Sequence, residues 1–158
     1  MKKIIFKTVL LLSFVLIYNC GYKVIDNTIN SNFTIKEIKN TGDSRINYKI
    51  KNNLLINSLE NSNNHLSINL TTTKNKSIKE KNIKNEVTKY EINIKTNVKF
   101  KLIKNNKNVS FTILVSGDYI IGNNYSATLN NEKNLVEDLT ERLSKKILSQ
   151  LTQKINDI

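Results

Sequence analysis

The chain has 158 residues, and its 25 lysines and arginines exceed its 13 acidic residues to give a formal net charge of +12. A single cysteine excludes a disulfide framework and a zinc site built on several thiolates, and no glycine-rich phosphate loop is present. The only histidine, His65, begins a predicted strand and has no expected catalytic partner, so we expect neither an enzyme nor a metal protein.

The first nineteen residues have the features of a signal peptide. Three lysines, Lys2, Lys3 and Lys7, precede an apolar run from Val9 to Ile17 that only Ser13 interrupts. This run is too short to cross about 30 Å of hydrocarbon at about 1.5 Å per residue. Residues 1–19 are therefore predicted to be a signal peptide and not a permanent membrane helix.

The cysteine follows this apolar run. Cys20 resembles the cysteine of a bacterial lipobox, where the thiol receives a diacylglyceryl group and the signal is cut just before it, although Asn19 replaces the usual small residue. We expect diacylglyceryl and N-acyl groups on Cys20 and no other cofactor, with an ordinary free cysteine as the alternative. By the same resemblance, Gly21 in place of an aspartate points to the outer membrane. Residues 20–31 are then a lipidated tether.

From residue 32 to residue 158 the pattern predicts a single α+β domain in the order β-α-β-β-β-α. A strand is predicted around residues 32–39, and a turn at 40–44 leads into a helix that ends near Glu60. The apolar stripe of this helix comprises Ile46, Ile50, Leu54, Leu55 and Leu59.

The second strand is predicted from Leu66 to Thr71, where apolar and polar residues alternate. The stretch that follows, residues 72–85, contains six charged residues and only two isoleucines. We therefore predict a loop or the mobile end of a hairpin there.

The third and fourth strands have the clearest alternation. Between residues 90 and 102 one parity is apolar except for Thr96, and the other parity is polar throughout. A long strand with one solvent-exposed polar face is typical of an antiparallel sheet. After a polar turn at 104–108, residues 109–121 are predicted to return as the fourth strand, with a bulge at Gly117.

The last helix is predicted to begin at Asn130 or Asn131, with Glu132 in its first turn. Its apolar stripe covers about six turns. A coiled coil is the alternative, but a single helix offers no partner for such a seam. We therefore expect both helices to cover one face of a four-stranded, mostly antiparallel sheet. The stripe comprises Leu135, Val136, Leu139, Leu143, Ile147, Leu148, Leu151 and Ile155.

The order of these features resembles the lipopolysaccharide-assembly lipoprotein family LptE. The matching stretches are Cys20-Gly21-Tyr22, Tyr90 with the alternation after it, and Asn131-Glu132 leading into Leu135 to Leu151. The resemblance covers nearly the whole chain after the signal peptide. It implies two helices on a four-stranded sheet and a position as a plug inside the outer-membrane barrel LptD. It also implies a role in assembling that barrel and binding of lipopolysaccharide on its way to the cell surface.

The resemblance implies candidate lipopolysaccharide-binding residues. In the family, basic residues lie in the loop between the second and third strands and in the loop before the last helix. Here Lys79, Lys81 and Lys84 occupy the first loop, whereas Leu129 and Asn130 stand where the second loop would have a lysine. A basic loop could displace the divalent ions that bridge lipid A phosphates. The codon usage of an AT-rich genome would explain the same lysines without any binding role.

An exported chain has no reason to meet nucleic acid, so we expect any functional share of the positive charge to face an anionic lipid or polysaccharide. The expected location is the periplasmic side of the outer membrane, held by the lipid anchor. Two other classes of function stay open. One is a free-standing envelope lipoprotein that binds a small ligand or peptidoglycan, and the other is a structural subunit of a different envelope complex.

Overall fold

A computed structural model describes residues 32–158, so the predicted signal peptide, Cys20 and the tether lie outside the described residues. The element order β-α-β-β-β-α predicted from the sequence is confirmed. No helix in this part of the chain is long and apolar enough to cross a membrane. The elements are β1 (Thr34–Gly42), α1 (Ser44–Ile56), β2 (His65–Lys81), β3 (Val87–Leu102), β4 (Lys107–Ile120) and α2 (Tyr125–Asn156).

The four strands form one sheet in the order β1-β2-β3-β4. β1 runs parallel to β2, and the β2–β3 and β3–β4 pairs are antiparallel. The parallel pair follows from the connection, because α1 carries the chain back before β2 begins. The sheet is therefore mixed and mostly antiparallel, as predicted.

The hydrophobic core lies between the two helices and one face of the sheet. The apolar parity of β3 points into this core, with Ile92 and Ile94 fully buried, and the opposite parity forms what we call the open face. The predicted stripe of α2 is confirmed, since six of its members are buried and Leu135 and Val136 pack against the core. In the first stripe, however, Leu55 and Leu59 are 41% and 49% exposed.

The one polar position within the apolar parity of β3 has a matching partner. The hydroxyl oxygens of Thr96 and Thr72 lie 2.8 Å apart, and both side chains are fully buried. Each hydroxyl therefore satisfies the other in a place that water does not reach. The apparent interruption in the pattern is a cross-strand hydrogen bond between β2 and β3.

Of the two alternatives predicted for residues 72–85, the loop is wrong, and the residues form the end of the β2–β3 hairpin. β2 continues as a strand to Lys81, and only residues 82–86 form the turn of the hairpin. Residues 73–81 bury almost nothing, but their backbone pairs with the amphipathic β3. The ladder of backbone hydrogen bonds to β3 holds this polar stretch extended. The pattern of side chains does not reveal this pairing, because it alternates only where one face is buried.

Two further predictions need correction. α2 begins at Tyr125, because the side chain of Asn124 accepts a hydrogen bond from the Ala127 N–H, so Asn130 and Asn131 lie inside the helix. Gly117 is not in a bulge, since β3 and β4 pair without a register shift. A Cβ at Gly117 would lie 2.8 Å from the Cδ1 of Leu135, so the glycine lets α2 approach the sheet closely.

Smaller differences concern element ends. α1 ends at Ile56, one turn before the predicted end at Glu60. β1 extends to Gly42, so the predicted turn at 40–44 is reduced to the region of Asp43. Asp43 caps α1 by accepting a hydrogen bond from the Ile46 N–H.

Candidate functional site

The three lysines implied by the family resemblance all lie at the hairpin that joins β2 to β3. Lys79 and Lys81 belong to the last residues of β2, and Lys84 lies in the turn. All three side chains are exposed. The structure thus brings them to one end of the sheet, but their surroundings differ.

Lys79 belongs to an ion cluster on the open face. Its Nζ lies 2.9 Å from Oδ1 of Asp118 and 3.9 Å from Oε1 of Glu91, while Lys89 lies 3.1 Å from Oε2 of Glu80 and 3.8 Å from Asp118. The hydrogen bond from Lys79 lowers the pKa of Asp118, and the same bond raises the pKa of Lys79. Three carboxylates therefore surround two ammonium groups. An added anion would have to compete with Asp118 for Lys79.

Lys81 and Lys84 are not engaged in this way. The Nζ of Lys81 donates to the side-chain oxygen of Asn85 at 2.9 Å. The turn is organised by Asn82, whose side-chain oxygen accepts from the backbone N–H groups of Lys84 and Glu86. Within residues 32–158, no carboxylate lies within 4.0 Å of either ammonium group. These two lysines are the members of the predicted set that a phosphate group can reach directly.

Lys76, three residues before Lys79, has a structural role. Its Nζ lies 2.6 Å from Oε2 of Glu132 and 4.3 Å from the ring centroid of Tyr90, and the Tyr119 hydroxyl donates to the same Glu132 oxygen at 2.7 Å. The hydrogen bond from Lys76 lowers the pKa of Glu132, and the hydrogen bond from Tyr119 lowers it further. Partial burial of the carboxylate has the opposite effect but is outweighed. This cluster ties the hairpin end of β2 to α2.

A second group of cations, which the sequence analysis missed, surrounds a groove between the beginning of α1 and the first half of α2. The groove has a volume of about 770 Å³. Lys49 and Glu137 at its edge form an ion pair at 3.0 Å. The lining combines apolar side chains with charges of both signs. The apolar residues include Ile46, Leu129 and Val136, the cations are Arg45, Lys49, Lys74 and Lys133, and the carboxylates are Asp43, Glu132 and Glu137.

The groove cations come from three separate elements: Arg45 from α1, Lys74 from β2 and Lys133 from α2. In the described part of the chain none of these three has a carboxylate within 4.0 Å. Lys133 lies a few residues beyond the place where the family resemblance implies a second basic position. Nothing in the sequence pairs it with Arg45, because only the packing of α1 beside α2 brings them to one groove.

Among residues 32–158, no group of three or more histidine, cysteine, aspartate or glutamate side chains could hold a metal ion. The Nδ1 of His65 has no hydrogen-bond partner there either. Exposed ammonium groups beside a partly apolar groove are suited to an anion that carries apolar chains.

No protein-family model and no curated protein matches the chain. Its fold, however, is similar to that of rare lipoprotein B from Shewanella oneidensis, with a TM-score of 0.59 at 16% identity over 76% of this chain and 97% of that chain. It is also similar to an uncharacterized lipoprotein B from Nitrosomonas europaea, with a TM-score of 0.57 at 12% identity over 80% of this chain and 89% of that chain. The chain therefore has the fold of two solved bacterial lipoproteins with which it shares little sequence.

Proposed function

We propose that this chain is an outer-membrane lipoprotein that plugs and helps to assemble an LptD-type β-barrel and binds lipopolysaccharide during its transport to the cell surface. The observation that carries the proposal is the agreement in fold with rare lipoprotein B along 97% of that chain. The signal-peptide pattern of residues 1–19 and the position of Cys20 support it independently.

Cys20 would anchor the protein on the periplasmic side of the outer membrane. A single acyl chain binds a membrane only marginally, whereas two or more hold a protein stably. The diacylglyceryl and N-acyl groups expected on Cys20 meet that requirement. No membrane-spanning helix is then needed for attachment.

The open face of the sheet suits a position inside a barrel. Outer-membrane barrels have polar interiors, so a plug needs a surface that stays hydrated and hydrogen-bonds readily. Except for Leu114, the positions along most of this face are short polar residues or lysines. They are Asn69, Thr71, Thr73 and Asn75 of β2, Asn93, Lys95, Asn97 and Lys99 of β3, and Ser110, Thr112, Leu114 and Ser116 of β4.

Lipopolysaccharide would meet the hairpin first. We assign contact with its phosphates to Lys81 and Lys84, with Lys79 joining only when Asp118 releases it. A phosphate bound to an ammonium group makes a charge-assisted hydrogen bond, which is stronger than a neutral one. The groove cations lie on the helix-covered side of the same sheet, but Asp43, Glu132 and Glu137 line the same groove, so we assign no phosphate contact there.

The lipopolysaccharide assignment is tested by charge reversal at the hairpin. The double variant Lys81→Glu with Lys84→Glu should weaken binding of purified lipopolysaccharide, and the wild-type affinity should fall as salt rises because exposed charges are screened over about 8–10 Å. The matched control is Lys99→Glu with Lys101→Glu, which makes the same charge change on exposed residues at the other end of β3. Equal binding by the two double variants would contradict the assignment.

The plug assignment is tested separately by co-purification from the envelope. The wild-type protein should bring down a large β-barrel protein in about equal amount. A protein recovered alone would favour the free-standing lipoprotein, and recovery with other envelope proteins would favour a structural subunit. This outcome does not depend on the hairpin lysines, so the two parts of the proposal can fail independently.

A further inference from the structure

The sheet has three stretches of free strand edge in the described part of the chain. They are β1, the part of β2 beyond its last β1 partner at Thr72, and β4. A free edge presents unpaired backbone N–H and C=O groups, and proteins usually protect such edges with charged side chains, bulges or proline. The three edges here differ in that protection.

The edges of β1 and β2 carry protective features. β1 has Lys36, Glu37 and Lys39, and its register with β2 is irregular between Ile35 and Glu37. The free part of β2 has four lysines at positions 74, 76, 79 and 81, and its register with β3 is irregular between Ile78 and Lys81. Both features discourage another strand from pairing with these edges.

The edge of β4 lacks these features between residues 108 and 117. It pairs with β3 over its full 14 residues without a register shift, and its only charges are Lys107 and Asp118 near its ends. The chain contains no proline. Apolar side chains lie on both faces of this edge, with Leu114 59% exposed on the open face and Phe111 half-buried on the other.

We propose that β4 pairs antiparallel with β4 of a second copy of this chain, so that two sheets join into one. A strand that is uncharged along residues 108–117 can lie beside itself without opposing like charges. A two-fold axis through the middle of β4 makes such a pairing self-complementary and closed. The inference does not depend on the proposed barrel or lipopolysaccharide partners.

The diagonal course of α2 favours the antiparallel arrangement. Its first half covers the end of β4, where Leu135 meets Gly117 and Glu132 meets Tyr119, whereas its last residue contacts Asn32 beside β1. The beginning of β4, with half-buried Val109 and Phe111, is therefore the less covered end. Antiparallel pairing places the covered end of one β4 beside the less covered end of the other. The two α2 helices then approach the seam at opposite ends and do not collide.

The remainder of the surface opposes the association, because each copy carries a large positive charge. Added salt screens this repulsion but leaves backbone pairing intact. The proposed dimer should therefore become more stable as salt rises. This dependence is opposite in sign to that expected for lipopolysaccharide binding.

The test uses the full chain in detergent, followed by sedimentation and amide deuterium exchange over a range of protein concentrations. The wild-type protein should reach twice the protomer mass, and the amides of residues 109–117 should exchange several-fold more slowly as concentration and salt rise. Concentration-independent protection of these amides would mean that another part of the same chain covers the edge, and it would overturn the proposal. A protomer mass at every concentration would overturn it as well.

A matched pair of variants locates the seam. The variant Ser110→Glu with Leu114→Glu places two carboxylates opposite Lys99 and Lys95 on β3 of the same chain. In the proposed dimer these carboxylates would also lie across the β4–β4 seam from those of the second copy and repel them. Asn69→Glu with Thr73→Glu places acids opposite the same two lysines from the β2 side. The first variant should stay at the protomer mass and the second should dimerise like the wild type. Equal dimerisation by both would contradict pairing through β4, and unchanged exchange in β2 and β3 would show that each variant is folded.

Discussion

The Nζ of Lys76 lies 2.6 Å from Oε2 of Glu132, which joins the outer part of β2 to the first half of α2. The two residues are 56 positions apart. Lys76 also lies over the ring of Tyr90, which stacks on Tyr119 at a centroid distance of 5.7 Å. This contact shows that the lysines of β2 have several different roles, although they look alike in the sequence.

Replacing Glu132 with glutamine tests the first of these roles. The pKa of Glu132 is lowered in the folded state, so its contribution to stability is present above the unfolded value of 4.5 and is lost as pH falls through the folded value. Glu132→Gln should cost up to about 1 kcal/mol at neutral pH and nothing in strong acid, because the pair is partly exposed. Urea unfolding at both pH values measures this. Glu141→Gln is the control, since the Glu141–Lys145 pair is more exposed and should contribute less.

The buried hydroxyl pair of Thr72 and Thr96 predicts a strong coupling. Thr96→Val leaves the Thr72 hydroxyl buried without its partner and should cost about 1–3 kcal/mol. The double change Thr72→Val with Thr96→Val removes both polar groups and should cost less than either single change. A double-mutant cycle measures the coupling, and additive losses would show that the hydrogen bond contributes nothing specific.

The alternation of β3 predicts opposite results at neighbouring positions. Ile94 is fully buried, so Ile94→Asp places an unpaired charge in the core and should cost several kcal/mol. Lys95 is exposed on the open face, so Lys95→Asp should cost less than about 0.5 kcal/mol. Thermal unfolding of the two variants compares them directly. Similar losses would mean that the faces are assigned wrongly.

Gly42 should tolerate no side chain. Its φ is +90°, and a Cβ there would lie 1.9 Å from the carbonyl oxygen of Thr72, which accepts a hydrogen bond from the Asp43 N–H at 3.0 Å. Gly42→Ala should therefore cost more than about 2 kcal/mol and disturb the beginning of α1. Asn40→Ala, at an exposed position of the same strand, is the control for chemical denaturation. If Gly42→Ala loses no more unfolding free energy than Asn40→Ala, the inferred strain at this turn is wrong.

The anchor prediction concerns Cys20, outside the described residues. Cys20→Ser should abolish incorporation of labelled fatty acid and leave an unanchored or mislocalised protein. Metabolic labelling followed by separation of the membranes provides the measurement. If the wild-type protein itself takes up no label, the lipobox interpretation is wrong.

The sequence alone determined which residues of β3 and α2 face the core. The alternation from Tyr90 to Leu102 and the stripe from Leu135 to Ile155 depend only on the periods of about 2 and 3.6 residues, so they are readable without knowledge of any neighbour. Both are confirmed by burial. The element order followed from the same periodicity.

Only the tertiary structure decided the length of β2, the parallel pairing of β1 with β2 and the state of each lysine. Backbone pairing leaves no mark on a polar sequence, so residues 73–81 looked like a loop although β3 holds them extended. Likewise, Lys79 is paired with Asp118, Lys76 with Glu132, and Lys84 with no carboxylate of the described residues, because ion pairs are set by distances in space. Periodicity reports burial, whereas electrostatic and backbone partners depend on which distant elements the fold brings together.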